Sequence, residues 1–162
     1  MSNRIGEIEL QIMWNRLLSV VEEQAQTLVR TAFSTSSREA GDISAGVFDL
    51  EGRMLAQAVT GTPGHINTMA RSVGHFLDVF TAKDMKEGDI FVTNDPWTGT
   101  GHLYDLVIVS PSVLAGRMLA LCSCTSRLVD MAGAGRHPGA PPLAPHAVSI
   151  RLAPLPRHGW RP

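Results

Sequence analysis

The sequence has few of the residues that mark several common classes of protein. Among 162 residues there are two cysteines and one tyrosine, and 14 Lys and Arg residues are balanced by 15 Asp and Glu residues. Cys122 and Cys124 are too few for a disulfide framework, and a C-x-C pair without further sulfur ligands is a weak metal site. The lack of a basic excess argues against a nucleic-acid partner. We therefore expect reduced thiols and a cytoplasmic location.

The sequence also lacks a long hydrophobic run. Glu7 and Glu9 lie where a secretory signal would need an apolar stretch, and Pro111 interrupts the most apolar segment after Asp105. That segment is far shorter than the roughly 20 apolar residues that cross a bilayer. No P-loop, G-x-S-x-G or H-E-x-x-H motif occurs. We therefore expect no membrane partner and no recognisable ATP site.

Hydrophobic periodicity predicts a mixed α/β fold that begins with a long helix. Apolar residues recur every three or four positions over residues 5–32, which is typical of an amphipathic helix. The predicted buried stripe comprises Leu10, Trp14, Leu17, Val21, Ala25, Leu28 and Ala32. A helix of this length needs a large body to pack against, which indicates that the domain is incomplete.

The pattern after this helix predicts a β-hairpin, a second helix and further strands of a mixed sheet. Residues 43–50 and 53–57 are the hairpin strands, and Gly52 lies in the turn between them. Asn67 or Thr68 is expected to cap the second helix. The further strands are predicted at residues 90–92, 106–109 and 118–122.

The segment TNDPWTGTGHLYD, residues 93–105, is the strongest candidate for a functional site. His102 and Asp105 lie on a loop that enters a strand, where they could converge on one cation, and Asp95 could add a second carboxylate. Imidazole and carboxylate ligands suit Mn²⁺, Zn²⁺ or Fe²⁺. The alternative is structural: Asp95 forms a turn through hydrogen bonds to the backbone, and His102 and Asp105 bond only to each other.

Other polar residues are interpreted as structural. Arg38, Glu39 and Asp42 offer a base and two acids before the first strand, but a solvated turn explains them more simply. His65 and His75 are each expected to be hydrogen-bonded polar residues rather than metal ligands.

Four motifs resemble the hydantoinase B/oxoprolinase family, which includes N-methylhydantoinase B, the B half of 5-oxoprolinase and the alpha subunit of acetone carboxylase. Residues 88–105 contain T-N-D-P and H-x-x-D before an apolar strand. Residues 37–44 resemble the family's E-R-x-D-x-S run, and residues 47–53 resemble F-D-x-x-G-R. Residues 64–66 carry a histidine before the second helix, as the family does. The resemblance covers residues 6–135.

The resemblance implies a subunit of an ATP-dependent hydrolase that opens small cyclic amides, such as 5-oxoproline or hydantoins. A hydantoinase A-type partner would use the ATP, and relatives carboxylate small ketones. The resemblance also implies a divalent metal, Mn, Zn or Fe. Its ligands would be His102 and Asp105 of H-x-x-D, with Asp95 of T-N-D-P. Such a metal could polarise the amide oxygen or supply hydroxide. No catalytic residue is assigned.

The sequence departs from the family's pattern in two places. Arg127 and Ala132 replace a histidine and a glycine in the family's H-x-x-D-x-G-G run. Arginine has no lone pair for a metal, so the implied site lacks a ligand.

Residues 136–162, with seven of the ten prolines, match nothing in the pattern. We expect residues 1–135 to be the N-terminal part of a truncated domain. We expect the tail that follows to be disordered or encoded out of frame. The alternative function is a non-catalytic remnant or a partner-binding domain.

Overall fold

The computed structural model describes residues 6–128 and the backbone of residues 150–152. In chain order the elements are α1 (Glu7–Thr31), α2 (Thr35–Glu39), β1 (Ile43–Phe48), β2 (Met54–Gln57), α3 (Pro63–Val79), a 3-10 turn (Ala82–Asp84), β3 (Ile90–Thr93), β4 (Asp105–Leu114), β5 (Arg117–Arg127) and β6 (Ile150–Leu152). The predicted mixed α/β class, long first helix, hairpin and second helix are confirmed.

The strands form one sheet in the order β2-β1-β5-β4-β3-β6. Every described pair is antiparallel, which corrects the predicted mixed sheet. β4 and β5 form a long hairpin that pairs Asp105 with Arg127 at its open end and Leu114 with Arg117 beside the turn. The hairpin therefore brings two charged residues of distant sequence position together at one end of the sheet.

Pro111 lies within β4, where the sequence predicted a break. Proline cannot donate to a ladder and is tolerated where one side of the strand is unpaired. β3 pairs with residues 107–109 of β4, so Pro111 lies past the paired part of β3 while still opposite Leu121 of β5. The strand can therefore continue through the proline.

Helices cover both faces of β1, which is buried at all six positions. Alternate residues of a strand point to opposite faces. Ile43 and Ala45 belong to the apolar cluster with Ala25 of α1, whereas Phe48 belongs to the cluster with Met69 of α3. α3 begins at Pro63 rather than after Asn67 or Thr68, because proline suits a first turn that has no N–H partner.

Helix α1 is buried only along its second half. Val21 and Ala25 are fully buried, whereas Leu10 is 58 % and Trp14 46 % exposed, and Ile8 is also exposed. The predicted stripe is therefore correct at Val21 and Ala25 and wrong at Leu10 and Trp14, which have no covering element among residues 6–128. The cause is length: a helix of 25 residues spans about 38 Å, whereas the six-residue β1 spans about 20 Å.

Most of the tail, residues 136–162, lies outside the described residues, as does Ala132. The exception is Ile150–Leu152, which pairs with β3 as strand β6, so the expected lack of structure does not hold there. Within the described part of the chain, no helix combines the length and the apolar character needed to cross a bilayer.

Candidate functional site

Four side chains from separate elements meet at the open end of the β4–β5 hairpin. Asp42 immediately precedes β1, and His65 lies in the first turn of α3. Asp105 is the first residue of β4, and Arg127 is the last residue of β5. The fold therefore gathers two carboxylates, an imidazole and a guanidinium from across the sequence. We call these four residues the Asp42–Arg127 cluster.

Each nitrogen-bearing side chain of the cluster lies between the two carboxylates. His65 Nδ1 is 3.5 Å from Asp42 Oδ1, and His65 Nε2 is 3.5 Å from Asp105 Oδ2. Arg127 Nη1 is 3.4 Å from Asp42 Oδ2, and Arg127 Nε is 3.9 Å from Asp105 Oδ1. The arrangement is a ring in which carboxylates and nitrogen groups alternate, so neither carboxylate lacks a facing donor.

Asp105 lies deepest in the cluster, with 1 % of its surface exposed. Thr100 Oγ1 donates a hydrogen bond to Asp105 Oδ2 at 2.6 Å, and Thr62 Oγ1 donates to Asp42 Oδ1 at 3.0 Å. Asp105 Oδ1 and His65 Nδ1 are buried without a hydrogen-bond partner among the described residues. A buried carboxylate oxygen without such a bond is costly. The Arg127 guanidinium is the positive charge that faces this oxygen.

Hydroxyl groups fix the end of β5 that carries Arg127. Ser37 Oγ donates to the Arg127 carbonyl oxygen at 3.1 Å and shares a hydrogen bond of 3.0 Å with Ser126 Oγ. One strand position earlier, Ser44 Oγ and Thr125 Oγ1 share a buried hydrogen bond of 2.6 Å. These contacts tie α2 and β1 to β5, so the backbone that presents the guanidinium is held from two sides.

The Asp105 side chain makes no hydrogen bond or ion pair with the His102 side chain. The His102 side chain is exposed and makes no hydrogen bond or ion pair with another described residue. The contact between the two residues is between backbones, since the Asp105 N–H donates to the His102 carbonyl oxygen at 3.3 Å. As the first residue of β4, Asp105 points inward to His65, whereas His102 remains on the outer side of the preceding turn.

Asp95 is engaged by its own loop. Its Oδ1 accepts from the Trp97 N–H at 3.1 Å, and its Oδ2 accepts from the Thr98 hydroxyl at 2.9 Å. Its carbonyl oxygen accepts from the Gly99 N–H at 2.7 Å, and a Cβ at Gly99 would lie only 2.6 Å from that oxygen. These contacts match the turn-forming alternative given for Asp95.

The described side chains, as placed, do not fit a divalent metal. Residues 6–128 contain no group of three His, Cys, Asp or Glu side chains arranged to hold one ion. The carboxylates of Asp42 and Asp105 instead face a guanidinium, whose fixed positive charge would repel a cation between them. The set His102, Asp105 and Asp95 remains a prediction.

The two cysteines do not supply a thiolate site at neutral pH. Cys122 and Cys124 are free thiols on β5. Burial raises the pKa of both, and it raises the pKa of Cys124 to about 11, with a smaller contribution from the charge of Cys122. Thiolate is the form that binds metals and attacks electrophiles. The burial therefore favours the protonated thiol of both residues at neutral pH.

Periodicity alone missed half of the cluster. Asp42 was interpreted as part of a solvated turn and His65 as an ordinary polar residue, yet both face Asp105 or Arg127 in the fold. The signal that could have found them is the motif comparison, since residues 37–44 and 64–66 were already matched. Spacing within one segment cannot reveal a site whose residues come from four elements.

Comparisons with known proteins agree with this motif pattern. The family model described as hydantoinase B/oxoprolinase matches residues 6–148. The match extends beyond residue 135, where the resemblance was expected to end. The 5-oxoprolinase PfmaA of Pestalotiopsis fici is 31 % identical over 134 residues, which cover 83 % of this chain and 10 % of that protein.

Two further relatives extend the comparison. Caprolactamase subunit beta of Pseudomonas jessenii is 26 % identical over 94 % of this chain and 26 % of its own length. The nucleotide-free structure of an acetone carboxylase, an enzyme of ATP-dependent acetone carboxylation, shares the fold with a TM-score of 0.64 and 20 % identity. It is covered over 16 % of its chain, and this chain over 74 %. The chain thus spans about a tenth of the 5-oxoprolinase and about a quarter of the caprolactamase subunit. Because the family model covers most of its residues, the chain belongs to the hydantoinase B/oxoprolinase family.

Proposed function

We propose that this chain is part of a subunit of an ATP-dependent cyclic-amide hydrolase that opens 5-oxoproline or hydantoin-type rings. The observation that carries the proposal is the family match over residues 6–148. Relatives named 5-oxoprolinase and caprolactamase act, by those names, on cyclic amides, which supports this substrate class. The chain covers a small share of each relative, so the activity belongs to the proposed larger assembly.

The chemistry available in this chain lies in the Asp42–Arg127 cluster. Each ring nitrogen of His65 lies 3.5 Å from a carboxylate oxygen, of Asp42 or of Asp105, and imidazole is the side chain that most often acts as a general acid or base. Ring opening of an amide requires a proton to reach the leaving nitrogen. We propose that His65 supplies or holds this proton, with the two carboxylates orienting its ring. The predicted divalent metal enters no step here.

The proposed partner is a hydantoinase A-type subunit that uses ATP. The described residues contain no phosphate-binding motif, and the relative named caprolactamase subunit beta is, by its name, one subunit of an assembly. The exposed apolar residues of α1, Ile8, Leu10 and Trp14, offer a surface that a partner could cover. We also propose a cytoplasmic location, which the two free cysteines support.

A reconstitution experiment tests the proposal. A subunit that carries this chain and a hydantoinase A-type subunit are mixed with ATP and with 5-oxoproline or hydantoin, and ADP and ring-opened product are quantified. We expect amide-dependent ADP formation only when both proteins are present, and we expect His65→Gln to reduce product formation more than the control His75→Gln. A parallel reaction with a small ketone and bicarbonate tests the carboxylase-like alternative.

The alternative, a non-catalytic remnant or partner-binding domain, has its own outcome. Arg127 at a position where the family's pattern has histidine favours it, because this residue changes the charge of the cluster. Capture of the hydantoinase A-type subunit without product from any cyclic amide would favour partner binding. An experiment that yields no capture of the subunit and no product would contradict both functions.

A further inference from the structure

The Asp42–Arg127 cluster carries an inference that does not depend on the proposed reaction. We infer that the Arg127 guanidinium is a resident cation that neutralises Asp42 and Asp105, so that this cluster is built to work without a divalent metal. The family resemblance implies a metal at Asp105, and the geometry of this chain gives that carboxylate a different positive partner.

The placement of the guanidinium is the first support. Arg127 reaches both carboxylates with different nitrogens, Nη1 at 3.4 Å from Asp42 Oδ2 and Nε at 3.9 Å from Asp105 Oδ1. A cation that neutralises two carboxylates from separate elements must lie between them, and this is where the guanidinium lies. Because arginine stays protonated at all physiological pH values, the charge is permanent.

The rigidity of the surroundings is the second support. Asp105 and Arg127 are directly paired across β4 and β5, and Ser37 Oγ holds the Arg127 carbonyl oxygen at 3.1 Å. The Arg127 side chain is 35 % exposed, so most of it is packed within the fold. The backbone that carries Arg127 is therefore held by neighbouring elements, and its guanidinium lies within ion-pair distance of both carboxylates.

Electrostatic repulsion makes the two cations mutually exclusive. An ion bound between Asp42 and Asp105 would lie about 4 Å from the guanidinium, where two like charges repel strongly even at the effective dielectric of a protein surface. The repulsion corresponds to a loss of about 100-fold in affinity for a divalent ion. The arginine also removes a potential ligand, because it has no lone pair to donate.

Metal binding by the full chain tests the inference. Four proteins are compared: the natural chain, Arg127→His, Arg127→Lys and the control Arg117→His. Arg117 begins the same strand, is exposed, and lies at the opposite end of the hairpin from the cluster. Zn²⁺ and Mn²⁺ affinities are measured by calorimetry, and thermal unfolding is followed with each ion and with a chelator.

We expect the natural chain and Arg127→Lys to bind no stoichiometric ion and to unfold at temperatures that neither ion nor chelator changes. Arg127→His removes the fixed charge and adds an imidazole beside two carboxylates, so it should bind Zn²⁺ at least about 100-fold more tightly than Arg117→His. If Arg127→His does not fold, the natural chain and Arg127→Lys still decide the question.

Two results would overturn the inference. One is a natural chain that holds about one divalent ion and loses it on Asp105→Asn. The other is a folded Arg127→His protein that binds Zn²⁺ no better than the Arg117→His control. Neither result bears on whether the assembly opens cyclic amides, since the readouts are ion binding and unfolding rather than turnover.

Discussion

Asp95 and Asp105 lie on the same segment, and the fold uses the two carboxylates in opposite ways. Both are buried, with 9 % and 1 % of their surface exposed. Asp95 has local partners, the Trp97 N–H and the Thr98 hydroxyl, so it closes a turn. Asp105 faces His65 and Arg127, which lie on α3 and β5, so it joins separate elements.

The difference shows that burial of a carboxylate does not by itself mark a functional site. A carboxylate whose partners lie two or three residues away reports on the shape of its loop. A carboxylate whose partners come from distant elements holds those elements together, and its charge can interact with a ligand that enters the space between them. Substitutions at three buried or partly buried carboxylates test this distinction.

The largest effect is expected from Asp105→Ala. The substitution leaves Thr100 without its acceptor and removes one of the two carboxylates that compensate Arg127 and His65. Breaking a buried charge cluster by removing one member costs about 3 kcal/mol in the free energy of unfolding. Urea unfolding measures this cost, with Asp78→Ala on α3 as the exposed control, for which about 0.5 kcal/mol or less is expected. A loss equal to that of the control would contradict the cluster's role.

A smaller effect is expected from Asp95→Ala. The substitution removes two hydrogen bonds within one turn, each worth about 1 kcal/mol or less. Asp95→Asn retains an acceptor oxygen and should recover part of the loss. Hydrogen exchange should become faster at the Trp97 and Gly99 amides and should remain unchanged in β5. Faster exchange throughout β5 would show that Asp95 also supports the distant elements, and the comparison with Asp105 would fail.

The smallest effect is expected at Glu22, a carboxylate on α1 whose main partners come from the loop after β2. Hydrogen bonds from the Thr60 hydroxyl, the Gln26 amide and the Thr60 and Val59 N–H groups hold the pKa of Glu22 below its ordinary value of 4.5, against the opposing effect of burial. Because the folded pKa is the lower one, the stabilisation is present above pH 4.5 and is lost as the pH falls through the folded value.

The measurement for Glu22 is the dependence of unfolding free energy on pH. Glu22→Gln cannot ionise, so its stability should fall less steeply below pH 4.5 than that of the natural chain. Glu23→Gln, on the exposed side of the same helix, is the matched control. Equal slopes for the natural chain and Glu22→Gln would show that the carboxylate does not contribute through its charge.

Local pattern predicted the elements of the fold better than their contacts. The apolar period of α1, the hairpin around Gly52 and the strand after residue 105 follow from side chains near in sequence. The register that places Asp105 beside Arg127 depends on β4 and β5 passing through Pro111 without a break. The sequence predicted a break there, because the presence of a proline does not reveal whether a neighbouring strand pairs with that side of the chain.

The candidate site was predicted only in part, because its side chains come together through contacts between residues distant in sequence. Asp105 was selected from its segment, and Arg127 was singled out as a departure from the family's pattern. His102 was selected by spacing, but a spacing of three residues does not fix side-chain direction at the entrance to a strand. Asp42 and His65 could be joined to Asp105 only through packing of β1 and α3 against β4 and β5.

The uneven burial of α1 affects how any stability value for this chain must be interpreted. The first half of the helix presents Ile8, Leu10, Met13 and Trp14 to solvent within the described part of the chain. Any molecule that covers these residues in the folded state but not in the unfolded state raises the apparent stability by mass action. A melting temperature measured with such a molecule present would therefore be higher than one measured without it, so variants are to be ranked under identical solution conditions.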